Sequence, residues 1–159
     1  RSDLLNNGEV KNVLQELSFS VSRRLRQAGL EAGGVEVFVR NKDLFSQTFQ
    51  KELPLNTQSS IILAQKAYEL FMEKYDWDRP VRAVGIRAIR LDKEGSGSQL
   101  DMFLDHEKYF KSESCDKALY EIRKKYGKEA ISFAALKRDI KLPKELNEII
   151  TLPARHFNS

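Results

Sequence analysis

Before residue 93 the apolar positions fall into helical stripes and alternating runs. Val10, Val13, Leu14, Leu17, Val21 and Leu25 recur at threes and fours, which puts them on one face of a helix over Val10 to Gly29. Gly29 suits the left-handed position that closes such a helix. "VEVFVR" (35–40) is rich in β-branched residues and follows Gly33-Gly34, so a strand is expected there. "NKD" (41–43) is a turn signal, and "FSQTFQKEL" (45–53) alternates weakly up to Pro54, so the two runs are expected to pair as a hairpin. Thr57 is placed to cap a second helix over about 58–75, with a stripe of Ile61, Ala64, Ala67, Tyr68, Phe71 and Tyr75. "WDRP" ends that helix, and Val81 to Leu91 interleaves apolar and basic residues as a third strand.

The order α-β-β-α-β becomes β-α-β-β-α-β if one more strand precedes it, which is the split-βαβ or ferredoxin-like α+β arrangement. Both helices then cover one face of the sheet and leave the other free to bind. That first strand lies upstream of residue 1, is replaced by "DLLNN", or is missing. Residues 94–98 ("EGSGS") have the composition of a linker, and "QLDMF" (99–103) follows directly. Beyond it, "SCDKALYEIRKKYG" (114–127) gathers Ala118, Leu119, Ile122 and Tyr126 on one side of a short helix, about 114–126. The expected division is a domain over 1–93, a linker with its apolar motif over 94–103, and a helical tail over 104–159.

Composition narrows the class. The 159 residues are 41% hydrophobic and 31% charged, which is ordinary for a globular protein with one real core. No apolar run approaches the ~20 residues of a membrane span. The opening "RSDLLNNGEV" has no apolar h-region and no initiator Met, so a non-secreted fragment of a longer chain is expected. Cys115 is the single cysteine, which fits a reducing, cytoplasmic setting. The net charge of +4 is unevenly spread: "RPVRAVGIRAIRLDK" (79–93) holds five basic residues and one acid, and "SRRLRQ" (22–27) holds three arginines.

Signs of catalysis are few. No Gly-rich phosphate loop is present, and His106 and His156 lie in the tail region without metal-ligand spacing. Asp76/Asp78 and Asp101/Asp105 read as solvated charge, and Cys115 as a spectator thiol. In the basic strand, Arg82, Val84, Ile86, Ala88 and Arg90 alternate with Val81, Ala83, Gly85, Arg87 and Ile89. Gly85 weakens a strand and often marks close backbone approach, so Gly amides and Arg side chains could follow a phosphate backbone. An ordinary half-buried strand with solvated arginines has the same pattern. "QLDMF" likewise reads two ways. Gln99, Leu100, Met102 and Phe103 suit a partner's groove with Asp101 facing water, or Phe103 docks on its own domain.

"EVKNVLQELSFSVSRRLRQAGLEAGGVEVFVRNKD", "FSQTFQKELPLNTQSSIILAQKAYELFMEKY" and "RPVRAVGIRAIRL" together resemble the little-finger domain of Y-family translesion DNA polymerases, in the branch of bacterial SOS mutagenesis proteins. The likeness covers roughly residues 8–93 and includes "SRRLRQAG" and the R-x-x-G-I-R pattern of the last strand. "QLDMF" resembles the pentapeptide with which bacterial polymerases bind the sliding clamp, and "DKALYEIRKKYG" the tail behind it. The resemblance implies a four-stranded sheet with two helices behind it and primer–template DNA across its front, held through phosphate contacts that carry no sequence information. By position it implies that Arg82, Arg87 and the Gly85 amide meet the template backbone, with Ser46, Gln47 and Thr48 beside them and Arg40 as a lesser contact. Gln99, Leu100, Asp101, Met102 and Phe103 would engage the clamp. Ala83 stands where relatives often carry a basic residue, which implies a weaker grip. The palm with its metal-binding carboxylates is not in this sequence, so the fragment is expected to catalyse nothing and to need no cofactor, while its parent would use Mg2+ to copy damaged template during DNA repair. An SOS accessory protein or recombinase filament is a further expected partner, and a membrane is not.

Two rivals follow from the same residues. One is a non-polymerase adaptor that binds nucleic acid or protein and rides the clamp. The other is a small α/β enzyme with Cys115 as nucleophile.

Overall fold

The computed structural model describes residues 3–96, 106–127 and 130–131. Helix α1 spans Asn7–Ala28. It starts three residues before the apolar stripe because Asn6 caps it: its side-chain oxygen accepts from the Glu9 amide at 2.9 Å, and the Glu9 carboxylate accepts from the Leu5 amide at 2.7 Å. Gly29 closes the helix at φ 63°, with its N–H turned back to the Leu25 and Arg26 carbonyls. Val10, Leu14, Val21 and Leu25 are buried, and Ser18 joins them by donating its hydroxyl to the Leu14 carbonyl.

Strand β1 spans Leu30–Asn41 and β2 spans Ser46–Thr57, and they pair antiparallel as expected from the turn signal. Asn41 organises the turn, its side chain accepting from the Phe45 amide at 3.0 Å, while Leu44 takes a left-handed φ of 68°. β2 runs past Pro54, where the sequence had suggested an end. Gly34 pairs with Glu52 and Ala32 with Thr57, so residues 53–56 stand opposite Gly33 alone, and Pro54 falls where no ladder bond is required.

Helix α2 spans Ser60–Lys74. Its cap is Ser59 rather than Thr57: the Ser59 hydroxyl accepts from the Ile62 amide, and Thr57 accepts from the Ser59 amide one turn earlier. Its buried face carries Ala64, Ala67 and Phe71 of the expected stripe together with Ile62, Leu63 and Leu70, while Ile61, Tyr68 and Tyr75 are half-buried, so the stripe is broader on one side than expected. Phe71, Tyr75 and Trp77 stack beyond its C-terminal end, and the Trp77 indole donates to Asn7, tying the end of α2 to the start of α1.

Strand β3 spans Val81–Lys93 and pairs antiparallel with β1, giving a sheet of order β2-β1-β3. α1 and α2 pack on one another and on the sheet face that presents Val35, Val37 and Val39. This is the α+β arrangement with two helices on one face. Along the outer edge of β3, Leu4 is, among the described residues, the one that makes a strand-like bridge, exchanging two backbone bonds of 2.7 and 3.0 Å with Val81. Of the three possibilities for a first strand, "DLLNN" thus supplies one bridge.

Helix α3 spans His106–Tyr126, well ahead of the expected start near 114. Its anchors are polar, which is why no apolar stripe announces them. The Asp116 carboxylate, 2% exposed, accepts from the Ser59 and Ser60 hydroxyls and from the Ile61 amide at 3.1 Å. The Glu113 carboxylate accepts from the Thr57 hydroxyl and the Gln58 amide and pairs with Arg26 at 3.4 Å. Both acids sit at the N-terminus of α2, where the helix dipole favours negative charge.

Candidate nucleic-acid interface

The pleat sends alternate residues of β1 to opposite sides. Val35, Val37 and Val39 go to the core, and Gly34, Glu36, Phe38 and Arg40 go to the face that the helices leave open. The register extends this into cross-strand rows. Arg40 lies between Ser46 and Ala83, Phe38 between Thr48 and Gly85, and Glu36 between Gln50 and Arg87. Ser46, Thr48, Arg40, Gly85 and Arg87 therefore share one surface. Gln47 does not belong to it: it pairs with Val39, on the helix side. Arg82 stands apart for another reason. Arg40 pairs with Ala83 and Asn41 with Val81, so Arg82 is the extra residue of a bulge, exposed at the rim, and Val81 turns into the core. The simple alternation expected for this strand thus breaks at its first two residues.

Glycines of the middle strand and of β3 serve different purposes. A Cβ on Gly34 would stand 2.8 Å from Ile89 Cγ1 and 3.1 Å from the Lys51 carbonyl, and one on Gly33 would meet Asn56 and the Arg90 carbonyl at 2.9 and 3.1 Å. Those two are required by the sheet itself. A Cβ on Gly85 would meet only Phe38, at 3.8 Å, an ordinary contact. Nothing in the fold forbids a side chain at 85, so its bareness leaves the β3 backbone open above Phe38.

Charge on the face is paired where it is densest. Arg87 Nη1 lies 2.9 Å from Glu36 Oε1, and Gln50 Nε2 donates to the other oxygen at 2.6 Å. Arg40 donates to the Leu44 carbonyl at 3.4 Å. Arg90, in the left-handed region at φ 53°, pairs with Glu52 across the sheet. Glu36 and Gln50 are neighbours of Arg87 on this face that the basic-strand pattern did not bring out. Their signal was the parity of Glu36 with Arg40 inside "VEVFVR".

Two concavities, of about 460 and 570 Å³, lie elsewhere. The first is between α1 and α3, around Phe19, Tyr120 and Arg123, and the second is on the helix side near Tyr75. The open face lines neither, and its shape suits an extended polymer rather than an enclosed small molecule. Among the described residues no group of three or more His, Cys, Asp or Glu could hold a metal ion, and no helix is long and apolar enough to cross a membrane. Cys115 is exposed and unbonded. Residues 99–103, expected to engage a clamp, lie outside the described residues.

The chain is 32% identical over 139 residues to DNA polymerase IV of Acetivibrio thermocellus, covering 86% of this chain and 34% of the relative. It is 31% identical over 135 residues to DNA polymerase IV of Clostridium acetobutylicum, covering 84% and 33%. The chain thus spans about a third of the length of these relatives. Among solved structures, a "Complex of beta-clamp processivity factor and little finger domain of PolIV" aligns with a TM-score of 0.47 and 21% identity, over 64% of this chain and 90% of that one. Residues 1–102 match the model of the impB/mucB/samB family C-terminal domain, and the chain belongs to that family.

Proposed function

We propose that this chain is the DNA-gripping, clamp-tethering part of a Y-family DNA polymerase. Residues 1–93 form the little finger, 94–103 the linker with its clamp motif, and 104–159 the tail. The open face of the sheet lies along primer–template duplex in a cytoplasmic setting. Arg82, Arg87 and Arg40 meet phosphates, Ser46 and Thr48 donate hydroxyl hydrogen bonds, and the bare backbone at Gly85 lets a phosphate approach. Gln99, Leu100, Asp101, Met102 and Phe103 engage the sliding clamp. Catalysis belongs to a palm elsewhere in the parent protein.

The observation that carries this reading is Gly85, a strand glycine without a steric reason inside the domain, on the outer strand of an uncovered face that also carries arginines. Contacts of this kind act by releasing counterions, so affinity should fall steeply with salt, by roughly 0.9 in log K per log salt for each phosphate neutralised. The test is fluorescence anisotropy of a labelled primer–template with the Arg82→Ala, Arg87→Ala double variant. It should bind about tenfold or more weakly at low salt, with a slope shallower by about 2. Unchanged affinity at low salt would remove the DNA assignment.

A further inference from the structure

The geometry points to Glu36 as a brake on the grip of the open face, acting through Arg87. This deepens the reading of that face as a duplex-binding surface and rests on it. Glu36 sits on the middle strand, and both its oxygens are engaged, one by Arg87 at 2.9 Å and one by Gln50 at 2.6 Å. The two partners of the ion pair differ in how they are held. The Glu36 side chain is 11% exposed and the Arg87 side chain 73%. The carboxylate is therefore fixed by the sheet, while the guanidinium reaches into solvent with most of its five N–H donors unspent on Glu36.

An anion that approaches Arg87 meets a cation with a fixed negative charge directly behind it. The carboxylate cannot swing away, because β2 and β3 flank it and Gln50 holds its second oxygen. Part of the attraction of Arg87 for a phosphate is cancelled at every register along the duplex. A domain that must hold DNA without reading sequence, and let it advance, gains from an attraction limited in this way. Glu36 also draws the guanidinium along the row towards the middle strand, so it is a positioning residue as well as a counter-charge.

Glu36→Gln tests this, since it keeps the shape and an acceptor oxygen for Arg87, and its amide N–H can donate to the Gln50 side-chain oxygen once that amide turns over, while the charge is removed. Duplex affinity of the 159-residue chain is measured across a salt series for wild type, Glu36→Gln, Arg87→Ala and the combination. At about 50 mM salt, Glu36→Gln should bind about three- to tenfold tighter, and its slope of log K against log salt should steepen by a fraction of the roughly 0.9 that a full phosphate contact gives, because the Arg87 charge is no longer partly cancelled. In the Arg87→Ala background the gain should shrink to less than half. A purely structural role would change melting temperature without steepening the slope. Glu36→Thr, neutral and strand-favouring, gives a second measurement if the glutamine variant folds poorly. Affinity unchanged or weakened by both neutral variants, while Arg87→Ala still weakens binding, overturns the inference and leaves the DNA reading intact. A gain of equal size with and without Arg87 overturns the route through that arginine. If Arg87→Ala and the Arg82, Arg87 double variant also leave binding unchanged, the inference and the reading fail together.

Discussion

Gly34 and Gly85 lie on the same face of the same sheet, and replacing each by alanine should have opposite effects. At Gly34 the new methyl would stand 2.8 Å from Ile89 Cγ1 and 3.1 Å from the Lys51 carbonyl, too close for either to stay where it is. Gly34→Ala should destabilise the domain by about 1–3 kcal/mol, the ordinary cost of forcing an extra methyl into a packed place. At Gly85 the methyl makes only van der Waals contact with Phe38. Gly85→Ala should leave melting temperature unchanged or raise stability by about 0.4–1 kcal/mol, because alanine restricts the unfolded chain. The same methyl stands where a phosphate would approach, so duplex binding should weaken by roughly two- to tenfold. Thermal melts and anisotropy on the two variants separate the cases. A Gly85→Ala protein that melts early would show that the glycine serves the fold instead. The sequence alone marked Gly85 as a place of close approach, and Gly34 only as the boundary before a strand. Which neighbour approaches is a property of register, and the register follows from the bulge at Gly33 and the extra residue at Arg82.

Among the elements, α3 departs most from expectation, and the reason is chemical. α1, α2 and the three strands bury valines, leucines and phenylalanine, so the periodicity of those residues announced them. α3 docks by Tyr109, Glu113 and Asp116, residue types that usually face water and leave no stripe. Asp116→Ala would leave the Ser59 and Ser60 hydroxyls and the Ile61 amide without their acceptor. A loss of about 1–3 kcal/mol in the docking of α3 is expected. Hydrogen exchange should quicken along α3, while α2 holds, because Ser59 still caps the Ile62 amide. Equal acceleration in α1 and α2 would mean that the helix is integral to the core. Tyr109 gives the same seam a pH dependence. Burial, then the nearby Glu113 carboxylate, push its phenol from 10.0 up to about 12, while its O–H donates to the Leu55 carbonyl at 3.0 Å. A pKa raised in the folded state means that the native form holds the proton longer. Its contribution is complete below pH 10.0 and is lost as pH rises towards about 12. Phenolate absorbance should show late titration, with burial and the Asp78 charge also raising Tyr75, and Tyr109→Phe should remove the part of it near pH 12.

At the scale of the molecule, the two proposed partners use different parts of the chain. The open face draws on β1, β2 and β3, and the clamp motif at 99–103 follows the end of β3 by a few residues of linker composition. The two share no residue, so they should fail independently. Deleting residues 99–103 should abolish co-elution with the bacterial sliding clamp, because the apolar anchors Leu100, Met102 and Phe103 are the part of the motif able to fill a hydrophobic cleft. Duplex affinity and its salt slope should stay as in the intact chain. The Arg82, Arg87 variant should show the reverse, with clamp co-elution kept and duplex binding lost. When clamp and duplex are present together, the intact chain should be held more tightly than by either alone, since binding one partner raises the effective concentration of the domain near the other. Clamp binding that survives the deletion would move the tether to another surface. Loss of duplex binding on deletion would mean that one surface serves both partners, and the division between a gripping sheet and a separate hook would fall.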